Sequence, residues 1–308
     1  MKSFLFIAVS AALLAQPALP QCCPSKPTAE KRKLLWQKVQ AEIERTDAQL
    51  DGFLAVAIKD LTSGDEYLLH ADEVMPQASS IKITVLAELY RQAQQGRLKL
   101  TDEYVVRPAD LVPGSDILLG LTPGVTRLTL RDLATMMVAV SDNSATNVLI
   151  DRVGAENVNA MLESLGLHTT RLRRKMMDLK AASEGRENIS TPREMMALLD
   201  TIYSGKLLNK ELTADFLKVL STHKESSMLQ GLPDDAVAAN KPGELEAVRN
   251  DSGIILIKNR PYILCVMTAY LKEEHDGSAA IRRIATLTYS YFDRLSRASE
   301  YGRVVSPK

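Results

Sequence analysis

The sequence predicts an α+β fold, an α-β-α sandwich in which one antiparallel sheet drawn from both ends of the chain is flanked by helices and an all-helical lobe is inserted between its halves. Three observations predict it. Short apolar runs broken by turn residues occupy residues 53–69. Helical spacing dominates the middle of the chain. Strand-like runs return after residue 236. Strands at both ends of a chain reach one sheet most simply if the helical middle is a lobe between them.

In chain order, Leu35, Val39 and Ile43 recur at helical spacing with Trp36 alongside, which predicts an amphipathic helix over residues 31–50. Phe53 to Ile58 and Tyr67 to Leu69 flank the turn Thr62-Ser63-Gly64-Asp65, a two-stranded hairpin. A helix starts near Ser79 and stops at Gly96. Residues 128–167 are helical, with Thr129 and Asp132 as a capping pair and Gly154 and Gly166 as stops. Thr191-Pro192-Arg193-Glu194 starts another helix, whose apolar face carries Met195, Leu198, Leu199 and Ile202. Ala236 to Lys241, Gly253 to Ile257 and Tyr262 to Tyr270 read as three strands, and a last helix covers Ser278 to Leu295. The organisation expected is a leader over residues 1–21 and one catalytic domain over residues 27–300. Its α/β lobe takes residues 27–75 and 236–297, and its helical lobe residues 76–235.

The bulk properties exclude some functions. The 308 residues carry 38 Lys plus Arg against 38 Asp plus Glu, so no net field draws the protein to nucleic acid or an anionic membrane. Met1-Lys2 followed by the apolar run Phe4 to Ala15 reads as an export signal, too short to span a bilayer. A periplasmic or secreted location is expected, with no transmembrane helix in the mature protein. Leu19-Pro20-Gln21 lacks the small-residue pattern that precedes a lipidated Cys, which argues against anchoring through Cys22 or Cys23. Cys265 sits in an apolar run as a buried thiol, so no disulfide framework is implied. His70, His168, His223 and His275 are scattered without metal spacing, and no metal is expected.

Three short motifs carry chemistry. Ser79-Ser80-Ile81-Lys82 opens a helix, and residues three apart share a helical face, so the Lys82 amine is expected near the Ser79 hydroxyl. A serine needs a neighbouring base to become a nucleophile, and a helix N-terminus favours an oxyanion. Ser141-Asp142-Asn143 lies at a junction between helical segments. Ser141 is placed to pass a proton to a leaving nitrogen, and Asn143 to hold Lys82 and a substrate amide. Lys241-Pro242-Gly243-Glu244 enters the C-terminal sheet, where Lys241 can hold Ser141 and a substrate carboxylate. Gly243 lets substrate backbone approach closely, and Pro242 marks an edge strand. Taken singly, each has a plainer reading: a solvated helix start, a helix cap and a surface turn.

Together, in this order and context, the motifs resemble those of class A β-lactamases within the serine penicillin-recognising superfamily. The resemblance runs over nearly all of the chain after the leader, including Leu130-Arg131-Asp132-Leu133 and Ser141 to Asn147. It implies a β-lactamase/transpeptidase-like fold with Ser79 as acylated nucleophile, Lys82 as its base partner and Ser141 as proton relay. It implies substrate binding by Asn143, Lys241, Gly243 and Glu244, with the backbone N–H groups of Ser79 and Glu244 as the oxyanion hole. It implies no cofactor, a monomer, and a small β-lactam or cell-wall peptide-like substrate.

Two departures stand out. The family's E-x-x-L-N loop aligns with Met176 to Lys180, so Met176 takes the Glu position and Lys180 the Asn position. Neither activates a water, and losing a positioned base typically costs about 10² to 10⁴ in rate. Asp178, Glu184 and Glu187 are the nearby alternatives. The loop-closing Asp aligns with Asn188, so its ion pair with Arg174 is expected to become a hydrogen bond. In the third motif, Pro242 replaces the hydroxyl residue that would bind a substrate carboxylate, and Arg249 is the expected substitute. The primary expectation is an acyl-enzyme hydrolase with weak β-lactam turnover. The alternatives are a D,D-peptidase or esterase of the same fold, or a protein that binds β-lactam or peptidoglycan without turnover.

Overall fold

The structure, a computed structural model, describes residues 29–114, 117–299 and 301–304. The leader and Cys22 and Cys23 lie outside the described residues. The chain opens with α1 (Ala29–Gln49), β1 (Phe53–Asp60) and β2 (Glu66–Leu69). After β3 (Met75–Pro76), a 3-10 turn (Ala78–Ile81) leads directly into α2 (Lys82–Gln94). The helical lobe continues through β4 (Glu103–Val105), β5 (Arg127–Thr129), α3 (Leu130–Ala139), α4 (Asn143–Val153) and α5 (Ala155–Ser164). Then come α6 (Leu179–Ser183), β6 (Ile189–Ser190), α7 (Pro192–Tyr203) and α8 (Lys210–Leu220). The chain returns to the sheet as β7 (Ala238–Leu245), β8 (Val248–Ile255) and β9 (Tyr262–Ala269), and ends in α9 (Glu274–Arg297).

The five-stranded antiparallel sheet has the order β2-β1-β9-β8-β7. Strand alternation divides its side chains between two cores. Leu54, Val56 and Ile58 of β1, with Leu264 and Val266 of β9, join Ile281 and Ile284 of α9 and Ile43 of α1. Ala55 and Ala57 of β1, with Ile263, Cys265 and Met267 of β9, face the helical lobe and pack with Met195, Leu198 and Leu199 of α7. The small Ala55 and Ala57 suit the close approach of a helix to this face. β9 is buried along its whole length because both faces are covered. Trp36 ties α1 to α9 through ring contacts with Tyr291 and Phe292.

The expected hairpin, the Thr191 start and the Gly154 stop are all found. Thr191 accepts a hydrogen bond from the Glu194 N–H, and Thr129 and Asp132 form a reciprocal capping box. β7 is an edge strand, as Pro242 required. Several elements differ from the expectation. β8 begins at Val248 rather than Gly253, because the strand contains Asn250, Asp251 and Ser252, which do not read as strand residues. All three are buried, and two are bonded through their side chains: Asn250 Nδ2 donates to Pro76 O at 2.7 Å, and Asp251 accepts from Ser226 Oγ at 2.6 Å. Helix α8, capped by Asn209, was not foreseen. Nor were the two-stranded ribbons β3–β6 and β4–β5.

Candidate active site

Each chemical motif sits where an element begins or a strand runs along an edge. Ser79 lies in the 3-10 turn that becomes α2. The residue before it, Ala78, has φ +48°, a left-handed conformation costly for a residue with a Cβ. Ser141 also lies in the left-handed region, at φ +55°. It is followed by Asp142, which caps α4 by accepting from Ala145 N at 2.8 Å and also takes Leu118 N at 2.8 Å. The capping reading and the chemical reading of Ser141-Asp142-Asn143 therefore both hold: the middle residue caps, and its neighbours turn toward Lys82.

Lys82 is fully buried, and its Nζ donates to Ser141 O at 2.6 Å and Asn143 Oδ1 at 2.9 Å. It also bonds Ser141 Oγ at 2.9 Å. The first two partners only accept. The Ser141 hydroxyl can give or take, so this contact suits either protonation state of the amine. Burial pushes the Lys82 amine well below its ordinary basicity, helped by Lys241 and opposed by Asp142. No hydrogen bond joins Lys82 to Ser79 among the described residues.

Lys241 reaches the same serine from β7. Its Nζ donates to Ser141 Oγ at 3.1 Å and to Pro242 O at 3.0 Å. Burial lowers its pKa to about 7, opposed by Asp251. Strand β7 is fastened against the turn that carries Ser79 by Ser80 Oγ, which donates to Lys241 O at 3.2 Å. A Cβ on Gly243 would lie 2.6 Å from Gln77 O and 2.7 Å from Ser80 Oγ. The close approach that Gly243 permits is thus by the turn that carries Ser79.

Two cavities meet at Ser79. The larger, about 600 Å³, is lined by Ser79, Ser141, Lys241, Pro242, Glu244 and Lys224. The smaller, about 140 Å³, is lined by Ser79, Asn143, Met176, Glu187, Asn188 and Glu244. Asn143 is held by more than Lys82, since its Nδ2 donates to Gly114 O at 3.0 Å. The seven residues that the resemblance implies for catalysis and substrate binding therefore gather at one cleft.

The loop beneath the smaller cavity corrects one expectation and sorts the alternatives. Arg174 keeps an ion pair, but with Glu187, at 2.8 Å, rather than bonding the Asn188 side chain through its guanidinium. Asn188 instead closes the loop through main chain, its Oδ1 accepting from Arg173 N and Arg174 N at 2.7 and 3.0 Å. Asp178 caps α6 and Glu184 pairs with Arg186, so of the three alternative carboxylates Glu187 is the one that lines a cavity with Ser79. Arg249 does not serve the cleft. Its guanidinium pairs with Glu274 of α9 and donates to Leu245 O and Val248 O, both at 2.8 Å. The sequence reading overlooked Lys224, a buried residue lining the larger cavity, and Asn147, which clamps Met176. A lysine in a polar stretch carries no sequence signal of burial; Asn147 stood inside the run quoted for the resemblance.

No group of three or more His, Cys, Asp and Glu side chains is arranged to hold a metal among the described residues. Comparison with known proteins gives one consistent picture. A family model described as the beta-lactamase enzyme family matches residues 34–292. Beta-lactamase SME-1 of Serratia marcescens is 28% identical over 235 residues, 74% of this chain and 79% of that protein. A β-lactamase from Sphaerobacter thermophilus has a similar structure, with a TM-score of 0.76 and 31% identity, over 83% of this chain and 97% of that one. A leucine-to-glutamate mutant of PBP-A, solved as an acyl-enzyme complex with penicillin G, has a TM-score of 0.75 and 26% identity, over 88% of this chain and 99% of that one.

Proposed function

The chain belongs to the beta-lactamase enzyme family and is a serine hydrolase of the class A type, and from that premise we propose that Ser79 is its acylated nucleophile, served by Lys82, Ser141 and Lys241. The supporting observation is the convergence of two buried amines on one hydroxyl: Lys82 and Lys241 both bond Ser141 Oγ, in a cleft that Ser79 lines. In the proposed sequence Ser79 Oγ attacks the carbonyl carbon of a cyclic amide. Its proton goes to the Lys82 amine, whose depressed basicity favours the neutral form that can accept it. The proton then crosses to the Ser141 hydroxyl, and the Ser141 proton goes to the departing nitrogen as the C–N bond breaks. The backbone N–H groups of Ser79 and Glu244 take the oxyanion. Asn143, Lys241 and Gly243 hold substrate or the groups that touch it. The PBP-A complex with penicillin G, an acyl-enzyme on a similar fold, supports this reading.

Acylation is expected to outrun deacylation, because Met176 occupies the position of the water-activating glutamate. We read residues 1–21 as an export leader and residues 27–300 as one catalytic domain acting as a monomer, outside the cytoplasm. Intact-mass analysis after mixing with a penicillin or a chromogenic cephalosporin tests the proposal. A persistent adduct, lost in Ser79→Ala, is the expected result; the absence of both adduct and turnover would sink it.

A further inference from the structure

When Ser79 opens a cyclic amide, the departed nitrogen stays tethered to the acyl group, and its fragment remains in the cleft. Ser141, which gives that nitrogen its proton, lines the larger of the two cavities at Ser79 and not the smaller. The tethered fragment therefore takes the larger cavity, and water reaches the ester carbonyl through the smaller one. At about 140 Å³ the smaller cavity has room for a water. Met176 in its wall brings only a thioether. Two carboxylates line it, Glu187 and Glu244. Glu244 is exposed and lines both cavities, whereas the half-buried Glu187 lines the smaller one alone of the two.

Glu187 is anchored by one oxygen and free at the other. Arg174, whose side chain is 9% exposed, donates from Nε at 3.2 Å and from Nη2 at 2.8 Å, both to Glu187 Oε2. Glu187 Oε1 makes no hydrogen bond among the described residues, so its lone pairs are open to a proton. On the same cavity wall, Asn143 Oδ1 accepts from Lys82 Nζ at 2.9 Å and keeps a second lone pair. A water donating to Asn143 Oδ1 and Glu187 Oε1 keeps its own lone pairs for the acyl carbon. We propose that Glu187 is the general base of deacylation, acting from the far side of the loop in place of the glutamate that Met176 replaces. This rests on the acyl-enzyme reading of Ser79. The water oxygen bonds the ester carbonyl carbon, and its proton goes to Glu187 Oε1. The bond from that carbon to Ser79 Oγ then breaks, Glu187 returns the proton to Ser79 Oγ, and the acyl group leaves as a carboxylic acid.

The test times formation and decay of the benzylpenicillin adduct by intact mass in the unaltered protein, Glu187→Gln and Glu187→Ala, with thermal melts to establish that each variant is folded. Glu187→Gln keeps an acceptor for Arg174 and guards against a collapse of the loop in the alanine variant. Decay should slow about 100-fold in both variants, the lower end of what a positioned base contributes. Adduct formation, a step that does not use this carboxylate, should slow far less. Formate, which fits the space left beside Arg174 in Glu187→Ala and can take a proton, should restore decay. Nitrate, which pairs with Arg174 but is no base, should not. If the unaltered protein turns over too fast to hold an adduct, Glu187→Gln should accumulate one. Unchanged decay in Glu187→Gln, equal slowing of formation and decay, or rescue by nitrate as good as by formate overturns the inference while leaving Ser79 acylation intact. So does decay in the unaltered protein no faster than in the same adduct unfolded in guanidinium. Neither adduct nor turnover in the unaltered protein defeats the acyl-enzyme reading itself, and this inference with it.

Discussion

Asn147 holds Met176 by its main chain, accepting from the Met176 N–H at 2.8 Å and donating to the Met176 carbonyl at 3.1 Å. The loop position is therefore fixed without help from the Met176 side chain, which is buried beside Ser79 in the smaller cavity. A different side chain of similar length inherits the same placement. Met176→Glu should supply the missing water-activating carboxylate and speed deacylation by about 10² to 10⁴. The measurement is the decay of the penicillin adduct by intact mass. An adduct that persists as long as in the unaltered protein would show that the clamp alone does not position a base.

The pH dependence of acylation follows from the two amines. Burial holds the Lys82 amine well below its usual range, which favours its neutral form. Lys241, at about 7, is a cation below that pH and neutral above it. A substrate carboxylate therefore loses a partner as pH rises through 7. For benzylpenicillin, the contribution of Lys241 to kcat/KM for acylation should drop about tenfold between pH 6 and 8, following its protonated fraction. Its methyl ester should lack that alkaline limb. Identical profiles for the two compounds would remove Lys241 from carboxylate binding.

Much of this site was legible in the sequence because short motifs fix local geometry. Ser79 and Lys82 share one turn, and Pro242 on an edge strand follows from its missing N–H. What the sequence hid were long-range pairings of polar residues. Asn250, Asp251 and Ser252 interrupt the apolar pattern of β8, yet all three are buried, and Asn250 and Asp251 are bonded by Pro76, Ser226 and Asn240, residues at least 11 positions away. The exchange of partner by Arg174, from Asn188 to its neighbour Glu187, is likewise invisible without coordinates. Lys224 escaped notice for the same reason: burial of a lysine depends on what the fold stacks over it.

The buried amines also set how stability varies with pH. In the unfolded chain Lys241 keeps its proton up to about 10.5; in the folded state it gives it up near 7. Between these values the unfolded state binds more protons, so this residue makes unfolding harder as pH rises. Lys241→Met removes that contribution. The slope of the unfolding free energy against pH, measured in urea from pH 7.5 to 9, should be less positive in the variant, by up to about 1.4 kcal/mol per pH unit. Cys265, pushed up to about 12 by burial, acts in the opposite direction but equally in both proteins. Equal slopes would show that Lys241 keeps its proton in the folded state.

Strand β7 packs closely against the turn that carries Ser79. A methyl group on Gly243 would meet Gln77 O at 2.6 Å, Ser80 Oγ at 2.7 Å and Ser80 N at 2.8 Å. Two of these are main-chain atoms, so a rotamer change cannot relieve the overlap. The strand must move outward, carrying Lys241 away from Ser141 and breaking the Ser80–Lys241 bond. Gly243→Ala should cost about 1–3 kcal/mol, the usual range for overpacking. It should slow acylation further than a stability loss explains, because the folded fraction at 25 °C stays near unity. Adduct formation timed beside a urea melt separates the two effects. A variant that is destabilised yet acylates at the unaltered rate would mean that β7 can shift without disturbing the amines, and that Gly243 serves packing alone.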